Sequence, residues 1–179
     1  MRLEQDYRIS ALDTPGLSEL PQNATGTLQW FLASGQIIGE YQMSNGVQHG
    51  VARLWNAKGQ LIMNANHSNG LLDGLYATWH DNGATASEGY FREGRETGRH
   101  RAWYETGAIK TDAEYADGLL NGQYRRWMPD GEIVSDGVYS NMWPQSGTVI
   151  LEWVEGRLPT IGVYRDGILI EKRRWQEPD

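Results

Sequence analysis

Apolar and polar positions along this chain fall into short runs separated by glycine-bearing turns, and the whole pattern returns every 24 residues. Trp55, Trp79, Trp103 and Trp127 mark one register of that period, and Gly35, Gly59, Gly83, Gly107 and Gly131 mark a second. Gly46, Gly70, Gly94 and Gly118 keep the same step, as do Gly50, Gly74, Gly98 and Gly122. Several registers of one period define a repeat, and a period of this length belongs to arrays of small supersecondary units. Each unit holds a run ending near the Trp, a tight turn, a longer run ending in an aromatic residue, and a second turn. That is the pattern of a β-hairpin joined to the next by another hairpin turn.

The array runs in six blocks from Gly26 to about Lys172, and the expected fold is all-β, an elongated single layer of antiparallel hairpins. In the fifth block the turn reads Met128-Pro129-Asp130-Gly131. Pro fits the first central position of a type I turn, and Gly supplies the left-handed residue after it, which gives a three-residue loop. This register pairs Trp127 with Ile133, Trp103 with Ile109, Trp79 with Thr85 and Trp55 with Leu61. Simple alternation then puts the Trp column, the small residues Ser135, Gly137, Thr111, Ala113, Ser87 and Gly89, and Tyr139, Tyr115 and Phe91 on one packed face.

Alternation leaves Glu40, Glu88, Asp112 and Asp136 as a column on the other face, interrupted by Asn64, with Tyr76, His100 and Tyr124 opposite them. Two strands separate successive repeats, so the carboxylates are expected about 9–10 Å apart. The two ends of the array differ from its middle. Residues 1–25 carry Pro15 and Pro21 and read as a cap with a strand at Asp6 to Ser10. The sixth block has Met142-Trp143-Pro144 where the period calls for glycine at 142, and residues 173–179 form a tail after a closing strand. Lys172, Arg173 and Arg174 guard that strand's open edge against pairing with another chain.

Composition narrows the chemistry. There is no cysteine, so a disulfide framework, a thiolate metal site and a thiol nucleophile are excluded. Met1 to Ser10 is too polar for a secretory leader, and no apolar run is long enough to span a bilayer, so a cytoplasmic protein away from membranes is expected. A net charge of -7 disfavours nucleic acid and anionic lipid and favours a basic partner. His49, His67, His80 and His100 lie in separate repeats without ligand spacing, so no metal and no cofactor is expected. The carboxylate column sits at or beyond the upper end of the about 6.5–9.5 Å that an inverting glycosidase needs, and no lone deviant residue marks a catalytic position. The expectation is a protein without chemistry of its own.

Two units, GLYATWHDNGATASEGYFREGRETG and GRHRAWYETGAIKTDAEYADGLLNG, share G-x-Y/H-x-x-W, then N/T-G, then an aromatic-x-x-G-x-x-x-G. In this the chain resembles the MORN repeat family, specifically the variant repeats of bacterial antitoxin-like proteins, over about residues 26 to 167. It departs from the usual units in the sixth block and at Met43 and His67. The resemblance implies a hairpin array and a frequent bacterial role, neutralising a cognate toxin such as a nuclease, deaminase or ADP-ribosyltransferase domain. The residues expected at such an interface are Glu40, Tyr76, Glu88, His100, Asp112, Tyr124, Asp136 and Trp143. The alternative is a MORN scaffold that organises other proteins or a membrane surface.

Overall fold

The computed structural model describes residues 23–152 and 158–175, and the backbone of residues 7–10. The rest of the expected cap and tail, residues 1–6, 11–22 and 176–179, lies outside the described residues. Among the described residues every element is a strand, and no helix is long and apolar enough to cross a membrane. The chain divides into two compact units, one up to Arg95 and one from Glu96. The first holds β1 (Tyr7–Ser10), β2 (Gly26–Phe31), β3 (Ile37–Ser44), β4 (Val47–Trp55), β5 (Leu61–Ser68), β6 (Leu71–Trp79) and β7 (Thr85–Arg92). The second holds β8 (Arg95–Trp103), β9 (Ile109–Ala116), β10 (Leu119–Trp127), β11 (Ile133–Ser140), β12 (Trp143–Glu152), β13 (Thr160–Arg165) and β14 (Ile168–Arg174). Strands lie in chain order in each unit, and all neighbours pair antiparallel except β1, which runs parallel to β2. The fold is therefore the all-β array of hairpins expected from the repeat.

Two kinds of turn alternate, each set by its residues. After the Trp the amide of Gly131 donates to the carbonyl of Met128 at 3.0 Å, and the amide of Met128 donates to the carbonyl of Glu132 at 2.7 Å. Gly131 has φ +93°, so this is the three-residue loop expected, and Gly59, Gly83 and Gly107 close the same pattern. The other turns have two central residues, both left-handed: Asn45-Gly46, Asn69-Gly70 and Asp117-Gly118 among them. Positive φ at both positions is the type I′ signature whose twist matches that of the flanking strands. At the fifth such turn the pair is Asn141-Met142, and Met142 holds φ +71° where its counterparts are glycine.

Gly50, Gly74, Gly98 and Gly122 do not lie in turns. They sit inside β4, β6, β8 and β10 with φ between +69° and +120°, and at Gly50, Gly74 and Gly122 the register with the preceding strand shifts. At Gly122 the Glu114 side chain from β9 crosses the place a Cβ would fill and its Oε2 accepts the amide of Gln123 at 3.0 Å. At Gly50, Gln42 does the same for the amide of Val51 at 2.8 Å. A glycine that bulges and a side chain that caps the freed amide form one device.

The Trp pairings hold as expected: Trp55 with Leu61, Trp79 with Thr85, Trp103 with Ile109 and Trp127 with Ile133. The grouping into faces does not. In each of these hairpins the register shifts just before the Trp, because one extra residue follows the turn on the second strand. Val134 is that residue in the fifth block, and both it and Ser135 are buried. An inserted residue resets the alternation. The Trp column consequently parts company with the small-residue column. Trp103 shares a face with Arg101, whose guanidinium lies 5.6 Å from the ring centroid, while Tyr115 and Ala113 lie on the opposite side with His100.

Candidate functional site

One face carries the rings. In the first unit its cross-strand row reads Leu28, Tyr41, Ala52, Ala65, Tyr76 and Gly89, and in the second His100, Ala113, Tyr124 and Gly137. Large residues stand beside small ones, so rings lean over a floor of Ala and Gly. Tyr76 meets Phe91, His100 meets Tyr115 and Tyr124 meets Tyr139 edge to face, with centroids 5.6, 5.1 and 5.7 Å apart. That geometry suits the ring quadrupole and adds to the burial of Ala52, Ala65 and Ala113 beneath. Burial pushes the Tyr139 phenol up to about 12, with Tyr124 and Tyr164 adding to the shift. His67 stands where the later repeats have Phe91, Tyr115 and Tyr139. Its Nδ1 is buried without a hydrogen-bond partner among the described residues, and desolvation holds its pKa below the ordinary histidine value.

The opposite face carries a ladder of charge. In the first unit the row is Gln29, Glu40, Arg53, Asn64, Ala77 and Glu88, and in the second Arg101, Asp112, Arg125, Asp136 and Thr148. Glu40 accepts from Arg53 at 3.1 Å and from Gln29 at 2.9 Å. Arg99 donates to Asp112 at 2.6 Å through Nε and makes a second contact through its terminal nitrogen. Asp136 accepts from Arg125 at 3.3 Å and from Gln123. The Arg99 hydrogen bond, aided by the charges of Arg99, Arg101 and Arg125 against some desolvation, holds the Asp112 carboxyl below the usual range.

This corrects the expected constellation. Glu40, Glu88, Asp112 and Asp136 do share one row of the repeat, but Tyr76, His100 and Tyr124 stand on the other face. The residues that do stand opposite the acids are Arg53, Ala77, Arg101 and Arg125. The column is a ladder of mixed sign, and exposed pairs of this kind contribute about 0–1 kcal/mol each. Trp143 is placed apart from the ladder acids, at the first position of β12 beside the Asn141-Met142 turn, and is 75% exposed. Leu119 and Ile168, which follow the neighbouring turns, escaped sequence reasoning. Their signal was the apolar residue that follows most such turns, as in Val47 and Leu71, the turn before Arg95 being the exception.

Among the described residues no cluster of three or more His, Asp or Glu side chains could hold a metal ion. The array defines a β-hairpin repeat protein whose second face, within the second unit, is striped: Leu119, Trp143 and Ile168 at the turn edge, charge along the middle, and Trp103 and Trp127 with Ile109 and Ile133 at the far edge. Compared with protein-family models and with curated proteins, the chain matches none.

Proposed function

We propose that this is a non-catalytic binding protein of the MORN-repeat kind, acting in the cytoplasm as an immunity protein that binds a cognate toxin domain and occludes its active site. The observation that carries the reading is Trp143, a large aromatic side chain left 75% exposed beside the turn in which Met142 replaces the glycine of the other described two-residue turns. Tryptophan is among the residues enriched at interface hot spots. The repeat supports the same reading, because its polar side chains are engaged across strands and serve to present a surface. The net charge of -7 favours a basic partner such as a nuclease, deaminase or ADP-ribosyltransferase domain. Glu40, Asp112 and Asp136, alternating with arginines, would fix register on that partner together with Glu88, while Tyr76, His100 and Tyr124 hold the sheet that presents them.

The test is co-expression with the product of the adjacent reading frame in a host that this product poisons. Survival with the wild-type chain, co-purification of the two proteins, and loss of both with Trp143→Ala are expected. Full protection by the Trp143→Ala protein, or turnover of a substrate by the chain alone, would overturn the proposal.

A further inference from the structure

Within the second unit the first residues after the two-residue turns form a row along one edge of the ladder face. In the second unit these residues are Leu119, Trp143 and Ile168, paired across the turn with Ala116, Ser140 and Arg165. Ala116 alternates with Asp112 along β9, Ser140 with Asp136 along β11, and Arg165 with Val163 along β13, which places the row on the charged face. Leu119 is 43% exposed and Ile168 65%. Val138, two residues from Ser140 on the same face, is also exposed. Successive members of the row are two strands apart, about 9–10 Å.

Met142 lies between two of them. Its Sδ accepts the Leu120 amide at 3.0 Å, so the side chain reaches back from its own turn toward the start of β10. It does so in a left-handed conformation that a methionine rarely adopts. Glycine at 46, 70, 118 and 167 avoids the strain at the equivalent turns. A strained, half-exposed apolar residue beside the exposed Trp143 widens the apolar row rather than tightening the turn.

We infer that the row Leu119, Met142, Trp143 and Ile168 is a docking surface for a helix of the partner, one with apolar side chains at i, i+7 and i+14 and with Lys or Arg on its flanks. This rests on the binding role proposed above. Seven helical residues advance about 10.5 Å, close to the two-strand step of the row. Charge selects the flanks. Asp117 and Asp166 lie in the turns that border the row and Glu114 lies on its inner side; Arg165 stands across from Ile168, and Arg99, across from Glu114, is already engaged by Asp112. Such a border repels an anionic lipid surface and matches a cationic helix.

The experiment titrates the full-length chain into a labelled synthetic helical peptide of about 21 residues, with Leu at i, i+7 and i+14 and Lys on both flanks, read by fluorescence anisotropy. Saturable binding that weakens with salt is expected. Trp143→Ala should weaken it at least about tenfold while leaving circular dichroism unchanged, as truncating an exposed anchor does. Leu119→Ser provides a second, independent variant with the same expected direction. Equal affinity for the wild type and both variants would overturn the inference, as would equal affinity for a peptide of the same composition with its leucines moved off one face. So would a dimer of the chain that Trp143→Ala dissolves, since a second copy would then cover the row. Failure of the peptide while the wild-type chain still neutralises its toxin removes this inference alone. Peptide binding without toxin neutralisation removes the immunity role instead.

Discussion

Gly122→Ala and Gly98→Ala change the same position of the repeat, yet they should differ severalfold in effect. Gly122 has φ +120°, and a Cβ added there would come within 2.8 Å of the Glu114 Cβ and would also strike its carboxylate. The backbone cannot relax away without losing the Glu114 hydrogen bond to the Gln123 amide. A residue forced into sparsely populated backbone space costs about 1–3 kcal/mol, and a lost hydrogen bond about 1 kcal/mol more. The sum is about 2–4 kcal/mol, a large share of the about 5–15 kcal/mol that holds a domain folded. Gly98 has φ +69°, nothing lies within 4 Å of an added Cβ, and the repeat has Tyr90 at the position that Glu114 holds one period later. Only the left-handed strain remains there, about 1 kcal/mol. Urea unfolding followed by tryptophan fluorescence reads both variants. Equal destabilisation, within about 0.5 kcal/mol, would refute the account of this glycine series as a bulge capped by the side chain that crosses it.

Met142→Gly should raise stability by about 0.5–1 kcal/mol in the same assay by removing a left-handed side chain, and a fall in stability would show that the Sδ contact outweighs the strain. Burial lowers the His67 pKa, so the folded value lies below the unfolded one. Its stabilisation is complete above about pH 6.5 and drains away as pH falls through the folded pKa. His67→Phe should therefore flatten the stability profile below about pH 6.5, and an unchanged slope in urea melts at stepped pH would contradict this. Asp112 follows the depressed-carboxylate case: its contribution is present above the unfolded pKa of about 3.9 and is lost as pH falls through the folded pKa. Asp112→Asn should make acid unfolding shallower, and an identical acid limb would show that the Arg99 pair contributes nothing.

The parts of the fold that were legible in the sequence are those with turn chemistry. Pro129 and Gly131 specify the three-residue loop, and the loop specifies Trp127 opposite Ile133. Face assignment failed one residue later. The extra residue after each turn, Ile62 or Val134, is an ordinary strand former with no Gly or Pro to announce a bulge. Missing it moved Tyr76, His100 and Tyr124 beside the acids and hid Arg53, Arg101 and Arg125, the true neighbours. The glycines at 50, 74, 98 and 122 posed a related problem, because positive φ in a turn and in a strand bulge ask for the same residue. Trp143 was legible for the opposite reason: it broke the period.

Nuclear Overhauser contacts among ring protons test the division of faces most directly. The His100 ring should show contacts to Tyr115 and to the Ala113 methyl and none to the Trp103 indole, whose contacts should run to the Arg101 side chain. Contacts from Trp103 to Ala113 or Tyr115 would put the Trp and ring columns on one face and contradict the account.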